Sequence, residues 1–125
     1  MQAKKRDDKR QASIDTVQSQ LETYYAQYSQ YPTLANLNNA SWRQTYLKNL
    51  PASDLADPHW STKATACTTA GSSVVVATVA KNCYTYQVTN INGTACDNTD
   101  KNACAHYTLT ALLEGGEKYV KTSLN

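Results

Sequence analysis

The feature that most constrains this chain is a long N-terminal stretch, residues 3–30, that contains neither glycine nor proline. It begins with a charged block at residues 4–10 and continues into apolar residues that recur every three or four positions. This spacing predicts a single helix about 40 Å long, with the apolar side chains on one face. Because a residue before proline is disfavoured in the helical region, the helix should end at Tyr31-Pro32. The apolar stripe comprises Ile14, Val17, Leu21, Tyr24, Tyr25 and Tyr28.

Composition favours one folded domain over a disordered chain. The 125 residues are 41% hydrophobic and 18% charged, which is ordinary for a globular protein. Phenylalanine is absent, and nine tyrosines with two tryptophans supply the aromatic surface. Tyrosine carries a polar hydroxyl, so these aromatics suit a small fold whose core lies close to water. A net charge of +2 does not by itself indicate a nucleic-acid partner, but the positive charge is concentrated in residues 1–10.

The cysteines indicate a cellular compartment. An even number of cysteines in a small domain predicts two disulfides formed under oxidising conditions. The chain contains no C-x-x-C pair, and metal-bound or free thiols are the alternative interpretation. No signal peptide or membrane span accompanies them, which conflicts with export. We therefore expect that Met1 is an artificial start and that an upstream targeting segment has been removed. The four residues are Cys67, Cys83, Cys96 and Cys104.

The rest of the chain predicts a connecting region followed by a sheet. Residues 32–72 form the connection, with a short second helix around 41–49 that ends before Pro51. Residues 73–125 read as antiparallel strands and turns. The predicted fold class is α+β, a single domain in which the helix of residues 1–31 packs across a small antiparallel sheet.

Two hairpins make up the predicted sheet. Strands at 74–80 and 83–89 are joined by a two-residue turn at Lys81-Asn82. Strands at 106–114 and 117–124 flank Gly115-Gly116, which fits a type I′ turn. One face of the second hairpin should pack on the helix. The predicted cross-strand pairs are Val75–Val88, Ala77–Tyr86 and Val79–Tyr84, then Tyr107–Leu124, Leu109–Thr122, Ala111–Val120, Leu113–Lys118, Thr110–Lys121 and Leu112–Tyr119.

Catalytic chemistry finds little support in the sequence. His59 and His106 have no neighbour at metal-binding or catalytic spacing, and nucleophile-elbow, zinc-protease, phosphate-loop and dinucleotide motifs are all missing. With four glycines in total, two of them in one predicted turn, no phosphate-cradling loop can be built. We predict that the protein is not an enzyme and that it uses no cofactor and no metal.

Two polar segments each allow two interpretations. The loop 96–104 contains Asp97, Asn98 and Asp100, which could bind calcium or could form a solvated loop whose charge is countered by Lys101. The basic block at residues 4–10 could bind DNA phosphates or anionic lipid. It could equally be a solvated helix face. The sequons at Asn39 and Asn92 match the glycosylation pattern without further support.

Residues 5–32, KRDDKRQASIDTVQSQLETYYAQYSQYP, resemble the helix of type IV pilins and type II secretion pseudopilins. In that family a charged stretch follows a membrane segment, an Ile/Val-x-x-x-Leu-x-x-Tyr-Tyr pattern comes next, and a Tyr-Pro pair closes the helix. Leu50-Pro51 with Asp57-Pro58 resembles the family's connecting loop, and residues 107–114 resemble a strand common near the C-terminus of short pilins. The matching helix positions are Ile14, Val17, Leu21, Tyr24, Tyr25, Tyr31 and Pro32.

The resemblance implies a structural subunit of an extracellular type IV pilus. A preceding apolar half-helix would hold the subunit in the inner membrane and later pack with other pilins in the filament, with assembly machinery and a host surface or DNA as further partners. The stripe residues Ile14, Val17, Leu21, Tyr24 and Tyr28 would then form the helix and assembly interface. The basic stretch beside the membrane would comprise Lys4, Lys5, Arg6, Lys9 and Arg10. Contacts between heads would involve residues 32–60 and 96–104, with Trp42, Trp60, Leu112 and Tyr119 as exposed apolar candidates.

The family pattern also bears on disulfides and on the alternatives. It implies a C-terminal disulfide loop, represented here by Cys96–Cys104, and proximity then pairs Cys67 with Cys83. The second pair conflicts with the predicted hairpin unless residues 64–70 fold back. The chain has Ser29-Gln30 where the family usually has Gly or Asn-Gly. Its loop lacks the Gly-rich calcium pattern of major pseudopilins, which favours a pilin; a pseudopilin, or a minor pilin that binds DNA or a surface, is the alternative.

Overall fold

The computed structural model describes residues 2–50, 52–55, 75–76, 83–99 and 101–125. Within these ranges an N-terminal helix lies on one face of a small sheet, so the coarse α+β prediction is confirmed. Two short helices and a 3₁₀ turn connect the helix to the sheet. The elements are α1 (Gln2–Tyr28), α2 (Leu34–Leu37), α3 (Ala40–Tyr46), the 3₁₀ turn Ala52–Leu55, β1 (Val75–Val76), β2 (Tyr84–Thr89), β3 (His106–Leu112) and β4 (Lys118–Thr122).

Helix α1 ends three residues earlier than the proline rule predicts. Its last residue is Tyr28, and Ser29 takes a left-handed conformation with φ 60°. The Ser29 N–H donates to the Tyr25 carbonyl at 2.7 Å, which closes the last turn. A left-handed residue terminates a helix before any proline acts on it. Pro32 therefore lies beyond the helix end and does not cause it.

Two side-chain caps organise the connection after α1. The Thr33 hydroxyl accepts the Asn36 N–H at 3.0 Å and starts α2, which the sequence pattern did not predict. The Asn39 side-chain oxygen accepts the Trp42 N–H at 3.1 Å and starts α3. The second helix expected around 41–49 is therefore present but shorter and one residue earlier.

The strand order is β1-β2-β3-β4, and only part of the sheet matches the predicted hairpins. Strands β2, β3 and β4 are antiparallel neighbours, whereas β1 runs parallel to β2 with Val75 opposite Tyr84. The predicted first hairpin is therefore wrong, because a parallel pair cannot be closed by a two-residue turn. The pairs predicted for Ala77 and Val79, and the turn at Lys81-Asn82, lie outside the described residues.

The second hairpin is present with its register shifted by one residue. Leu112 lies opposite Lys118 and Ala111 opposite Tyr119, where Leu113–Lys118 and Ala111–Val120 were predicted. The Leu113 N–H donates to the Glu117 carbonyl at 2.7 Å, and Gly116 has φ 92°. The loop thus has three residues with glycine in the left-handed position, a standard alternative to the two-residue turn. Because side chains alternate between the two faces of a strand, this shift of one residue moves each side chain of β4 to the opposite face from the one predicted.

The core lies between α1 and the inner face of the sheet. Residues Tyr107, Leu109 and Ala111 of β3 are each at most 2% exposed, as the prediction for that strand requires. The slip in β4 instead leaves Val120 46% exposed, although it was predicted to face the helix. The core uses tyrosine where other proteins use phenylalanine, and the Tyr86 hydroxyl donates to the Pro32 carbonyl at 2.7 Å.

Candidate interaction surfaces

Most of the apolar stripe of α1 is buried within the domain. Ile14, Val17 and Leu21 are at most 1% exposed, and Tyr24 is 6% exposed. These four side chains pack against the sheet and the connecting region. Tyr28, at 44% exposure, is the one member of the predicted interface set that remains available to another molecule.

The two arginines of the basic stretch converge on one carboxylate. Arg6 donates two hydrogen bonds to Glu114, from Nε at 3.0 Å and from Nη2 at 2.9 Å. Arg10, whose side chain is 2% exposed, places Nη1 2.6 Å from Glu114 and 2.8 Å from Asp7. These contacts, led by the hydrogen bond from Arg6, lower the pKa of Glu114 to about 2. The start of α1 is thereby fastened to the turn between β3 and β4.

Lys9 ties the same end of α1 to the connecting region. Its Nζ lies 3.0 Å from Asp54 Oδ1, in the 3₁₀ turn. The Ser13 hydroxyl, which is buried, donates to the same oxygen at 3.0 Å. A single carboxylate thus contacts two successive turns of the helix.

The remaining lysines of the stretch stay in solvent. Lys4 pairs with Asp8 one turn away at 3.2 Å, and their side chains are 80% and 63% exposed. Lys5 is exposed and forms no ion pair with any residue that the structure describes. Most of the positive charge in the basic stretch is therefore committed to intramolecular partners, which leaves little of it for phosphate or lipid.

The other end of α1 is organised around Glu22. Its carboxylate accepts hydrogen bonds from the hydroxyls of Tyr31 at 2.9 Å and Tyr107 at 2.6 Å. It also accepts from the backbone N–H of Leu124 at 3.2 Å and the side chain of Asn125 at 2.8 Å. One carboxylate thus joins the helix, the connection after it, β3 and the C-terminal residues.

Burial and the nearby carboxylate act together on these tyrosines. Burial, with the negative charge of Glu22 adding to it, raises the pKa of Tyr31 to about 12. The same causes raise the pKa of Tyr107. Both hydroxyls are therefore neutral and donate hydrogen bonds to Glu22.

The predicted Cys96–Cys104 disulfide is confirmed. The sulfur atoms are 2.00 Å apart and the Cα atoms 5.1 Å apart. Cys104 is fully buried, and its carbonyl accepts the Tyr31 N–H at 2.8 Å. The second predicted pair includes Cys67, which lies outside the described residues.

Asp97 and Asn98 of this disulfide loop form hydrogen bonds within the loop and to Tyr31, which follows α1. Asp97 Oδ1 accepts from the Thr99 backbone at 3.0 Å and from the Asn102 side chain at 3.0 Å, and hydrogen bonds led by that of the Thr99 hydroxyl lower the pKa of Asp97. The Asn98 side chain donates to the Tyr31 carbonyl at 2.9 Å and accepts the Cys104 N–H at 2.7 Å. Asp100, the third oxygen donor of the calcium alternative, lies outside the described residues.

An aromatic cluster lies between α1 and α3. The ring centroids of Tyr24 and Trp42 are 5.2 Å apart, and those of Trp42 and Tyr46 are 4.9 Å apart. Tyr28 and Tyr46 meet edge to face at 5.7 Å and are 44% and 42% exposed. Among the apolar candidates of the sequence, Trp42, Leu112 and Tyr119 are half-buried. Trp60 lies outside the described residues.

Sequence reasoning missed the residues that hold α1 in place, although one of them carried a signal. Arg10 precedes Ile14 by four residues and so continues the apolar stripe, a position that indicates burial. Glu22 and Glu114 gave no such signal, because their partners are distant in the chain.

No protein-family model, curated protein or solved structure matches this chain. Among the described residues, no group of His, Cys, Asp or Glu side chains has an arrangement that could hold a metal ion. None of the helices found in the described ranges combines the length and the apolar character needed to span a bilayer.

Proposed function

We propose that this chain is a structural subunit of an extracellular type IV pilus filament. The observation that carries the proposal is a contact between two parts of the chain that resemble the pilin family, the Tyr31-Pro32 pair and the disulfide loop 96–104. The Tyr31 N–H donates to the Cys104 carbonyl and the Tyr31 carbonyl accepts from the Asn98 side chain, so the segment directly after α1 is bonded to the disulfide loop. This contact holds the helix and the globular part of the subunit together as one unit.

The contacts along α1 are also suited to a subunit that must transmit tension along a filament. In a filament, tension on the helix must reach the head without separating the two. The ion pairs at Arg6, Lys9 and Arg10 and the hydrogen bonds at Glu22 attach α1 to the sheet and connection over its length. An apolar segment before residue 1 would then anchor the subunit in the inner membrane and pack with other pilins after assembly, at about 25 cal/mol per Å² of apolar surface removed from water.

The two alternatives draw less support from the described residues. A pseudopilin with a calcium loop needs free oxygen ligands, whereas Asp97 Oδ1 accepts the Thr99 N–H and Asn98 Oδ1 accepts the Cys104 N–H. A DNA-binding minor pilin that used its basic stretch would need free cations, whereas Arg6 and Arg10 are paired. DNA binding that is salt-sensitive and survives removal of residues 1–10 would revive that alternative.

The decisive experiment is deletion of the gene in the source cell, with electron microscopy of the surface. We expect filaments to disappear and to return on complementation with the full gene. Complementation with the gene lacking the apolar segment before residue 1 is the matched control and should not restore them. An antibody against this chain should label the restored filaments.

Each other outcome contradicts the proposal. Unchanged filaments with reduced secretion of exoproteins would identify a pseudopilin. Filaments that persist unlabelled with normal secretion would remove the chain from this class. A gene without an apolar segment upstream of the charged block would do the same.

A further inference from the structure

A buried arginine on α3 has no carboxylate partner among the residues that the structure describes. Arg43 is 8% exposed, and its Nη1 donates to the Leu37 carbonyl at 2.6 Å. Burial lowers the pKa of Arg43, and no acidic group in the described part of the chain offsets that effect. Removing a guanidinium from water without a counter-charge is unfavourable, so an anion bound there would be stabilised.

Arg43 lines a surface cavity of about 220 Å³ together with a second cation. Lys48 is exposed and forms no ion pair with any described residue. Gln44 adds a side-chain amide, and no Asp or Glu is among the described lining residues. The cavity is thus cationic and offers the planar guanidinium geometry that matches a carboxylate.

A groove of about 360 Å³ shares Lys48 with this cavity. Tyr28 and Tyr46 contribute exposed rings, and the described lining again contains no acidic residue. Three side-chain amides in the groove make no hydrogen bond with a described residue. They belong to Gln20, Gln27 and Asn49.

We propose that these two adjacent cavities bind an acidic saccharide, with its carboxylate between Arg43 and Lys48 and its sugar rings on Tyr46 and Tyr28. Side-chain amides pair with sugar hydroxyls because each supplies both donors and an acceptor. The C–H face of a pyranose packs on a tyrosine ring, whose hydroxyl stays in solvent. The groove volume falls within the usual range for small-molecule sites. The proposal does not depend on filament assembly.

The test uses the folded chain labelled with ¹⁵N and titrated with trigalacturonate, with maltotriose as the neutral trisaccharide and inorganic phosphate as the plain anion. We expect saturable shifts at Gln44, Tyr46 and Asn49 with trigalacturonate. Lys48→Ala and Tyr46→Ala should each weaken binding roughly tenfold, the loss of about one charge-assisted or stacking contact. Lys5→Ala, an exposed lysine on α1 that pairs with no described residue, is the matched control and should bind normally.

Arg43→Gln should abolish binding while the spectrum remains that of a folded protein. If that variant unfolds, the two exposed-residue variants decide the question, because neither side chain is buried. Equal affinity for maltotriose would overturn the role of the charge, and equal affinity for phosphate would overturn the role of the sugar. Absence of saturable shifts, or tight binding of single-stranded DNA at the same residues, would overturn the proposal as a whole.

Discussion

The two ends of α1 are held by different physics. Its first ten residues are attached through ion pairs, in which Arg6 and Arg10 share Glu114 and Lys9 contacts Asp54. Its last turns are attached through stacked tyrosines and through neutral hydroxyls that converge on Glu22. One helix therefore has a charged end and an aromatic end.

Because ion pairs hold one end and aromatic packing holds the other, the two ends should respond differently to pH and to ionic strength. The Arg6 and Glu114 side chains are 31% and 24% exposed, so water and salt screen their attraction. Tyr31 is fully buried, so its contribution is mainly apolar burial and does not depend on ionic strength. We expect the charged end to detach first in acid or salt and the aromatic end to persist.

The largest expected effect is at the aromatic end. Tyr31→Ala removes a fully buried ring that packs 4.6 Å from Tyr25 and 4.7 Å from Tyr107, so the free energy of unfolding should fall by about 3–5 kcal/mol. Urea denaturation measures it. Tyr31→Phe, which keeps the ring and loses the bond to Glu22, should cost about 1 kcal/mol. A loss below about 1 kcal/mol for the alanine variant would break the comparison.

A smaller, pH-dependent effect is expected at the charged end. The pKa of Glu114 is lowered to about 2 in the folded protein, below the ordinary value of about 4.3 in the unfolded chain. Its stabilisation is therefore complete above the unfolded value and is lost as the pH falls toward about 2. Glu114→Gln should cost about 1 kcal/mol at neutral pH after solvent screening, and almost nothing in strong acid.

Denaturation at neutral and acidic pH, each at low and high salt, measures this second effect. Glu117→Gln is the matched control, since Glu117 is exposed in the same turn and forms no ion pair with a described residue. A Glu114→Gln penalty that did not change with pH would show that packing, and not charge, holds this end.

The smallest expected effect separates ion pairs within the charged end. Lys4→Ala breaks the exposed pair with Asp8, and the free energy of unfolding should stay within about 0.5 kcal/mol of the parent. The same denaturation experiment applies. A larger loss would mean that the first turn of α1 is held by contacts beyond this pair.

Periodicity predicted α1 and the inner face of β3 because both depend on spacing within one segment. The register of β4 could not be predicted in this way. Gly115-Gly116 fits a two-residue turn, but Glu114 is drawn into the loop, where its side chain binds two arginines of α1 and its N–H donates to Asp7 at 3.1 Å. The three-residue turn is thus accompanied by contacts between Glu114 and α1, which lie more than one hundred residues apart in the sequence.

The direction of β1 and most of the candidate site residues could not be predicted from local sequence patterns either. The alternating pattern that predicted the first hairpin contains no information on direction, and β1 proved parallel to β2. The Cys96–Cys104 pair could be anticipated from the resemblance and from proximity. The burial of Arg43 without a carboxylate partner among the described residues could not, because an arginine at a helical position is normally expected to face solvent.

The turned-over strand β4 also bears on solubility. In the part of the chain that the structure describes, β4 pairs with β3 alone, so its other backbone edge is open to strand addition. The slip leaves Val120 on the solvent side, which would favour aggregation between copies. Lys118 and Lys121 lie on either side of it, and charged lysines on an edge disfavour such pairing. We therefore expect these two lysines to limit edge-to-edge association between copies of the domain.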